Sequence, residues 1–317
     1  MTDPLFSPFR LGPLTLANRI VCLPMYLAYP DPDNEVNSLV LDYYSEMADS
    51  GAGMVVVENA TVEPRGLTNP RSLLASEDRF VPGLARLAEA IKARGVPAAL
   101  QLHHAGRHAK RPDRIAPSAV ETWGVMPKVM DQADIDRVVA AFAVAAVRAA
   151  VGDEFPVGYR FLADECVPGG ITLDETRPFA LELARAGATY LSVMAGCYDS
   201  PPQYVVDDRS EASMVPFAAA IKQALPEMPV IAAGRIQRPE TARAILSDGA
   251  ADLVGLGRII FADPLWPRKA SGQIDEPITV CTPTCSLCFK RIIAQKPAYC
   301  ACWPRERRER FLERVGG

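Results

Sequence analysis

The sequence lacks several features that would place the chain in other protein classes. No apolar run is long enough to span a bilayer. The N-terminal stretch MTDPLFSPFRLG lacks the charged and then apolar regions of a signal peptide. The 34 Lys and Arg residues are balanced by 38 Asp and Glu residues, for a net charge of −4, so no excess of basic charge indicates nucleic acid or an anionic membrane as a partner. We therefore expect a cytoplasmic protein without nucleic-acid or membrane partners.

Histidine is scarce, whereas cysteine is concentrated in one place. The three histidines lie between His103 and His108, and five of the eight cysteines lie between Cys281 and Cys302. A disulfide framework is not expected in a chain of 317 residues without a signal peptide. Clustered cysteines in an intracellular protein more often hold a metal.

Seven short apolar runs alternate with amphipathic helical stretches. The runs are apolar on both faces, as parallel strands covered by helices are, and their repeated order predicts a β/α barrel or a doubly wound sheet. A complete barrel has eight strands, so one is absent. The pattern stops before residue 279, which predicts a barrel over 1–278 and a Cys-rich tail with a C-terminal helix over 279–317. The predicted strands are 19–25, 54–62, 97–104, 156–163, 190–196, 229–234 and 252–257.

Two of the predicted strands end in a Gly-Arg pair. Gly234 precedes Arg235, and Gly257 precedes Arg258. Glycine lets the backbone approach a ligand closely, and backbone N–H groups with an adjacent Arg bind phosphate well. A glycine turn with a solvated Arg is the alternative, but two such ends in neighbouring units favour a phosphate-bearing ligand.

Four stretches resemble one family. LFSPFRLGPLTLANRIVCLPM is similar to the opening of old yellow enzymes and bacterial 2,4-dienoyl-CoA reductases, and QLHHAGR resembles their third strand. FPVGYRFLADECVPGGITLDE resembles the strand with their flavin-binding Arg. IAAGRIQRPETARAILSDGAADLVGLGRIIFADPLWPRKA resembles their FMN-phosphate region. The resemblance covers nearly the whole chain and implies a TIM-type barrel that binds FMN, uses NADH or NADPH and acts on a small molecule.

The resemblance also implies how the cofactor is held. By this resemblance, Pro24 and Met25 pack against the isoalloxazine, and Ala60 contacts it through its backbone. Gln101 forms a hydrogen bond to the pyrimidine edge, and Arg160 places its charge opposite N1 and O2. The residues implied to contact the phosphate are Gly234, Arg235, Gly257 and Arg258.

One part of the family pattern is absent. Family members carry a His-x-x-His or His-x-x-Asn pair on a fourth strand, where it anchors the substrate carbonyl. Here the helix AAFAVAAVRAA runs directly into VGDEFPVGYR, so the fourth β/α unit is predicted to be missing at the join 149–152. The usual tyrosine proton donor is lost with it.

Substitutes for these catalytic groups must come from elsewhere in the chain. Tyr26 stands where relatives often have a small polar residue near flavin N5. Consecutive residues of a strand point to opposite faces, so at most one of His103 and His104 faces the barrel mouth. Our candidate catalytic residues are Tyr26, His104 and Tyr198, which follows the strand 190–196; Tyr159 is interpreted as core.

The tail CTPTCSLCFKRIIAQKPAYCACW resembles the [4Fe-4S] segment of dienoyl-CoA reductase and trimethylamine dehydrogenase, although its first gaps are ordered differently. The implied ligands are Cys281, Cys285, Cys288 and Cys300, with Cys302 as the alternative to Cys281. Zinc and reduced structural cysteines remain alternatives.

Two functions follow. The first is an FMN and iron–sulfur oxidoreductase that passes electrons from a nicotinamide or a cluster to an unsaturated or amine substrate. No G-x-G-x-x-G segment follows the tail, so a separate reductase chain is an expected partner. The second is a degenerate barrel that serves as a non-catalytic electron-transfer or structural subunit. A homo-oligomer or partner subunit would cover an open barrel edge.

Overall fold

The computed structural model describes residues 3–142, 156–197, 200, 211–282 and 286–316. All seven predicted strands are present, and their ends lie within three residues of the predicted ones. The strands are β1 (Phe9–Leu11), β2 (Leu14–Leu16), β3 (Ile20–Cys22), β4 (Met54–Thr61), β5 (Leu73–Leu74), β6 (Ala98–His103), β7 (Ile115–Ala116), β8 (Lys128–Val129), β9 (Gly158–Leu162), β10 (Tyr190–Met194), β11 (Val230–Ala232) and β12 (Leu253–Leu256).

Helices separate the main strands, as the alternating pattern predicted. The α-helices within the described residues are α1 (Ser38–Asp49), α2 (Val81–Lys92), α3 (Gln132–Phe142), α4 (Leu173–Arg185), α5 (Val215–Ala224), α6 (Pro239–Ser247), α7 (Arg258–Ala262), α8 (Trp266–Ala270), α9 (Leu287–Ile293) and α10 (Arg305–Val315). None of these helices has the length and apolar character needed to cross a membrane.

The main sheet is the wall of a TIM-type barrel. Its parallel strands run in the order β9-β10-β11-β12-β3-β4-β6, and the short β5 pairs with the end of β4. The pairing of β12 with β3 joins the last strand to the first, as barrel closure requires. Among the described residues no ladder joins β6 to β9. As far as the described residues go, the wall has one open side, which we call the β6/β9 gap.

Side chains alternate between the barrel interior and the helix layer. Inside, Val21, Val56 and Ile231 pack on Leu11 and Leu16 from the β1–β2 hairpin. Outside, the alternate residues pack against the helices in the larger core cluster. This two-sided burial explains the continuous apolar runs in the sequence.

Glycine makes room for large side chains inside the barrel. A Cβ on Gly158 would lie 2.0 Å from the ring of Tyr190 on the neighbouring strand, and a Cβ on Gly255 would lie 2.8 Å from the side chain of Leu23. Real Cβ contacts are not this short, so the ring of Tyr190 fills space that any other residue at 158 would take.

Residues beside the β6/β9 gap are more exposed than their position on barrel strands predicts. Leu100 on β6 is 36% exposed and Tyr159 on β9 is 43% exposed. Tyr159 does face the helix layer, where the centroid of its ring lies 5.7 Å from that of Phe179. The interpretation of Tyr159 as a core residue is wrong, because its side chain faces the helix layer without being covered there.

The segment after residue 278 packs on the barrel. The indole Nε1 of Trp303 donates to the carbonyl oxygen of Phe261 at 2.7 Å, and the hydroxyl of Tyr29 donates to that of Ala298 at 3.0 Å. The division of the chain at residue 278 stays a prediction.

Candidate functional site

The carboxyl ends of the parallel strands meet at one rim, which we call the barrel mouth. Because β3, β4, β6, β9, β11 and β12 run in the same direction, the residues that end them come together there. The sequence predicted nine cofactor contacts, and all nine lie on these strands or within three residues after them. Tyr198 lies outside the described residues.

Arg160 is a cation inside the barrel that forms no ion pair with the described residues. Its Nη1 donates to Ser192 Oγ at 2.9 Å across the β9–β10 ladder. No carboxylate among the described residues lies within ion-pair distance. Burial lowers the pKa of the guanidinium to about 10, so it still carries its charge at neutral pH. An unpaired buried charge is costly, and an anionic ligand would remove that cost.

Gln101 presents an open amide at the same mouth. Its neighbour two positions earlier, Ala99, packs against the interior cluster, so the alternation along β6 points Gln101 inward as well. Its amide makes no hydrogen bond within the described part of the chain. A primary amide offers both a donor and an acceptor, which matches the pyrimidine edge of a flavin.

The two Gly-Arg ends are places where other side chains pack closely against the glycine backbone. Gly234 has φ +104°, and a Cβ there would lie 2.6 Å from Met214, so no other residue fits without strain. A Cβ on Gly257 would lie 3.7 Å from Met25 Sδ, which puts Met25 beside the second pair. Arg258 begins α7 and forms no ion pair with the described residues.

A bulge in β4 buries a carboxyl group beside Tyr26. The register with β6 shifts between Val57 and Ala60, so Glu58 and Asn59 together oppose one residue of β6. The N–H of Glu58 donates to the hydroxyl of Tyr44 at 2.6 Å. Both carboxyl oxygens of Glu58 lack a partner among the described residues, and burial raises the pKa of this carboxyl to about 8.

Tyr26 therefore lies in an environment that keeps its proton on. Its hydroxyl is buried and makes no hydrogen bond of good geometry with the described residues. Burial, and after it the nearby Glu58, raises the pKa of the phenol well above its usual value. Nearby Ala60 is fully buried, and its backbone belongs to ladders with β5 and β6.

The two histidines that end β6 differ in their surroundings. His104 Nε2 lies 3.0 Å from Glu63 Oε1, and its Nδ1 accepts the N–H of Gly106 at 3.1 Å. With both ring nitrogens engaged and the side chain 7% exposed, His104 is held in place. His103 makes one contact through its ring, from Nε2 to Thr68 Oγ1 at 3.2 Å.

The cysteine tail brings several thiols near one another. The N–H of Cys302 donates to Cys300 Sγ at 3.4 Å. Burial raises the pKa of Cys300 to about 12, and the neighbouring Cys302 and Cys281 add to the shift. No three His, Cys, Asp or Glu side chains of the described residues are arranged as a metal site. Cys285, one of the four predicted ligands, lies outside those residues.

Sequence reasoning missed several residues of the mouth. Ser192, Thr68 and Glu63 are too far along the chain from their partners for any local pattern to reveal them. No residue type in the sequence predicts the bulge that buries Glu58, because β4 has no glycine at that point. His103 could have been found from the sequence, because the two-residue alternation along β6 places it on the same face as Gln101.

One family model and several curated relatives match most of this chain. The model of the NADH:flavin oxidoreductase / NADH oxidase family matches residues 4–150 and 143–276. NADH oxidase from Thermoanaerobacter brockii is 31% identical over 87% of this chain and 52% of its own length. A metal reductase from Desulforamulus reducens is 30% identical over 93% of this chain and 53% of its own length. The chain thus spans about half the length of these curated relatives.

A solved structure shows the same fold. That of 2-naphthoyl-CoA reductase in complex with 2-naphthoyl-CoA superposes with a TM-score of 0.89, at 21% identity, over 96% of this chain and 57% of the other.

Proposed function

The chain belongs to the NADH:flavin oxidoreductase / NADH oxidase family, and from this premise we propose that it is an FMN-dependent oxidoreductase of the old yellow enzyme type. It passes electrons from NADH, NADPH or an iron–sulfur donor to a small unsaturated or amine substrate. The observation that supports the proposal is Arg160, a partly buried cation at the barrel mouth whose hydrogen-bond partner among the described residues is the neutral Ser192.

The residues at the mouth fit FMN. Arg160 would face the N1 and O2 edge, where negative charge develops on reduction, and the open amide of Gln101 would bind the pyrimidine. Gly234 and Gly257 would admit the phosphate to the backbone, with Arg235 and Arg258 beside it and Pro24, Met25 and Ala60 against the ring system. Bound FMN supplies hydride and electron transfer.

The chain's own residues supply the proton chemistry. Tyr26 keeps its phenolic proton over the physiological range because burial and Glu58 disfavour the phenolate. We propose Tyr26 as the acid at this mouth, with Tyr198 as the second candidate. His104, with both ring nitrogens engaged, would act by holding the end of β6 together with Glu63.

We also propose that the fourth β/α unit is missing. The family match falls into two pieces that meet at residues 143–150. The alignment with the NADH oxidase runs over 338 residues although it takes in 87% of the 317 residues of this chain. The relative therefore carries some tens of residues with no counterpart here, and the β6/β9 gap is where they would lie.

For the tail we propose a [4Fe-4S] cluster held by Cys288, Cys300, Cys285 and one of Cys281 and Cys302. Thiolates with this spacing suit such a cluster. Iron and acid-labile sulfide are measured on anaerobically purified protein, and Cys288→Ser is compared with the matched variant Cys166→Ser. Loss of iron from the first variant alone is expected. Iron content that is the same in both variants contradicts the ligand set, and zinc in place of iron contradicts the cluster.

The β6/β9 gap favours a second function, that of a cofactor-binding subunit without catalysis of its own, completed by a separate reductase or by another copy of the chain. The deciding experiment is the absorbance spectrum of purified protein, followed by anaerobic addition of NADH or NADPH and then of 2-cyclohexen-1-one, an enoyl-CoA thioester or an amine. Flavin bands that bleach and return on substrate addition support the enzyme. A yellow protein inert to all of these supports the second function. A colourless protein that does not take up FMN rules out both.

A further inference from the structure

Two adjacent histidines end the third barrel strand, and one of them has a ring nitrogen to spare. His104 uses both ring nitrogens, on Glu63 and on the N–H of Gly106. His103 uses Nε2 on Thr68 Oγ1 at 3.2 Å. No described residue makes a hydrogen bond to its Nδ1.

The strand geometry directs His103 into the barrel mouth. Ala99 packs in the interior cluster, and the two-residue period of β6 places Gln101 and His103 on the same face. His103 is in register with Thr61 of β4. The hydroxyl oxygen of Thr61 is buried and without a partner among the described residues, so two polar groups with unused hydrogen-bonding capacity adjoin Gln101.

The imidazole of His103 is neutral at physiological pH. Burial, and after it the nearby His104, lowers its pKa to about 4. A neutral imidazole has one N–H and one lone pair. When the hydroxyl of Thr68 donates to Nε2, the ring proton is on Nδ1, and His103 becomes a neutral donor. Such a donor can bind a carbonyl oxygen without adding a second charge to the barrel mouth.

The chain has no other histidine with this arrangement. Its third histidine, His108, packs against Trp123 with 5.5 Å between ring centroids. The family's paired substrate-anchoring residues are predicted to be absent with the fourth β/α unit, which leaves β6 as the strand that flanks the open side of the mouth.

We propose that His103 binds the carbonyl oxygen of a small conjugated ketone or thioester through Nδ1, with Thr68 as the positioning residue that fixes its tautomer. This inference rests on the proposed function, because it needs a flavin-loaded mouth. It names the substrate class, a carbonyl compound with an adjacent double bond, and favours it over an amine.

The test compares three variants of the full chain loaded with FMN. His103→Phe keeps the ring and removes its hydrogen bonds, Thr68→Val removes the hydroxyl with little change of shape, and His108→Phe is the matched control that keeps the contact with Trp123. Flavin content is measured first by absorbance. The dissociation constant of 2-cyclohexen-1-one is then measured on the oxidised protein, and KM and kcat with NADH or NADPH.

We expect His103→Phe to weaken ketone binding by about 10- to 100-fold, as loss of one buried hydrogen bond does, and to raise KM in parallel while flavin content is unchanged. Thr68→Val should weaken binding by a smaller factor, and His108→Phe should not change it. Ketone binding by the wild type should be flat between pH 6 and pH 8, because His103 does not titrate there.

Three results would overturn the inference: normal ketone affinity in His103→Phe, loss of FMN from that variant, or a flavin-loaded wild type that does not bind the ketone. A wild-type protein that takes up no FMN instead contradicts the proposed function, so the two failures can be told apart.

Discussion

The two sides of the barrel differ in how completely they are built. On the side of β10, β11, β12 and β3, each strand is hydrogen-bonded on both edges and nearly every residue is buried. On the other side β6 and β9 each pair with one of the described strands, and Leu100 and Tyr159 are partly exposed. The complete side carries both Gly-Arg ends, whereas the open side carries Gln101, His103 and Arg160.

This contrast indicates which part of the site tolerates change. Binding a phosphate through backbone N–H groups requires strands and turns held to within a fraction of an ångström, and the closely packed side provides that. Substrate recognition depends on individual side chains, which can be replaced one at a time. A barrel can therefore lose a unit beside the substrate and keep its cofactor site.

The largest predicted effect is a loss of FMN affinity on changing Arg160, which lies on the strand of the open side that pairs with β10. Arg160→Met should lower FMN affinity by about 100-fold, because it removes a charged hydrogen bond. The same change should leave the apoprotein equally stable or more stable, since it removes a partly buried cation that forms no ion pair with the described residues. FMN titration and urea unfolding of the apoprotein measure the two effects, with Arg160→Lys as the charge-retaining control. A strongly destabilised Arg160→Met apoprotein would mean that the guanidinium has a structural partner.

An effect of intermediate size, on how stability depends on pH, is expected from Glu58, which is buried on β4 between the two sides. Its pKa of about 8 lies above its value in the unfolded chain, so the folded state holds the proton more tightly. This contribution to stability is present in full below the unfolded pKa and is lost as the pH rises through about 8. Between pH 6.5 and pH 8.5 the free energy of unfolding should fall by about 2 kcal/mol.

Glu58→Gln should remove that decline, because an amide does not titrate. Urea unfolding of both proteins at the two pH values measures it. Parallel declines in wild type and variant would show that the titrating group is another residue.

The smallest predicted change in the free energy of unfolding is for a substitution on α3, the first α-helix after β6. Val139 is 64% exposed and Val193 on β10 is fully buried. Val139→Thr should change the free energy of unfolding by less than about 0.5 kcal/mol, as surface changes do. The matched Val193→Thr should cost about 1–3 kcal/mol, because it buries a hydroxyl. Equal costs at the two sites would indicate that a partner covers the open side.

The sequence predicted the barrel well because its signals are local. Each strand is a short apolar run bounded by a turn, and the Gly-Arg pairs are adjacent in the chain, so the seven strands and the mouth residues Gly234, Arg235, Gly257 and Arg258 needed no knowledge of distant contacts. Tyr159 was misassigned because local alternation gives the direction of a side chain but not what covers it.

The sequence by itself determined the seven main strands and the family. Only the tertiary structure decided that His104 is tied to Glu63 while His103 retains an unused ring nitrogen, that a bulge buries Glu58 beside Tyr26, and that Arg160 has no acidic partner in the described chain. The physical reason is that hydrogen bonding, burial and charge pairing at these residues depend on groups tens of residues away, which meet only when the strands assemble.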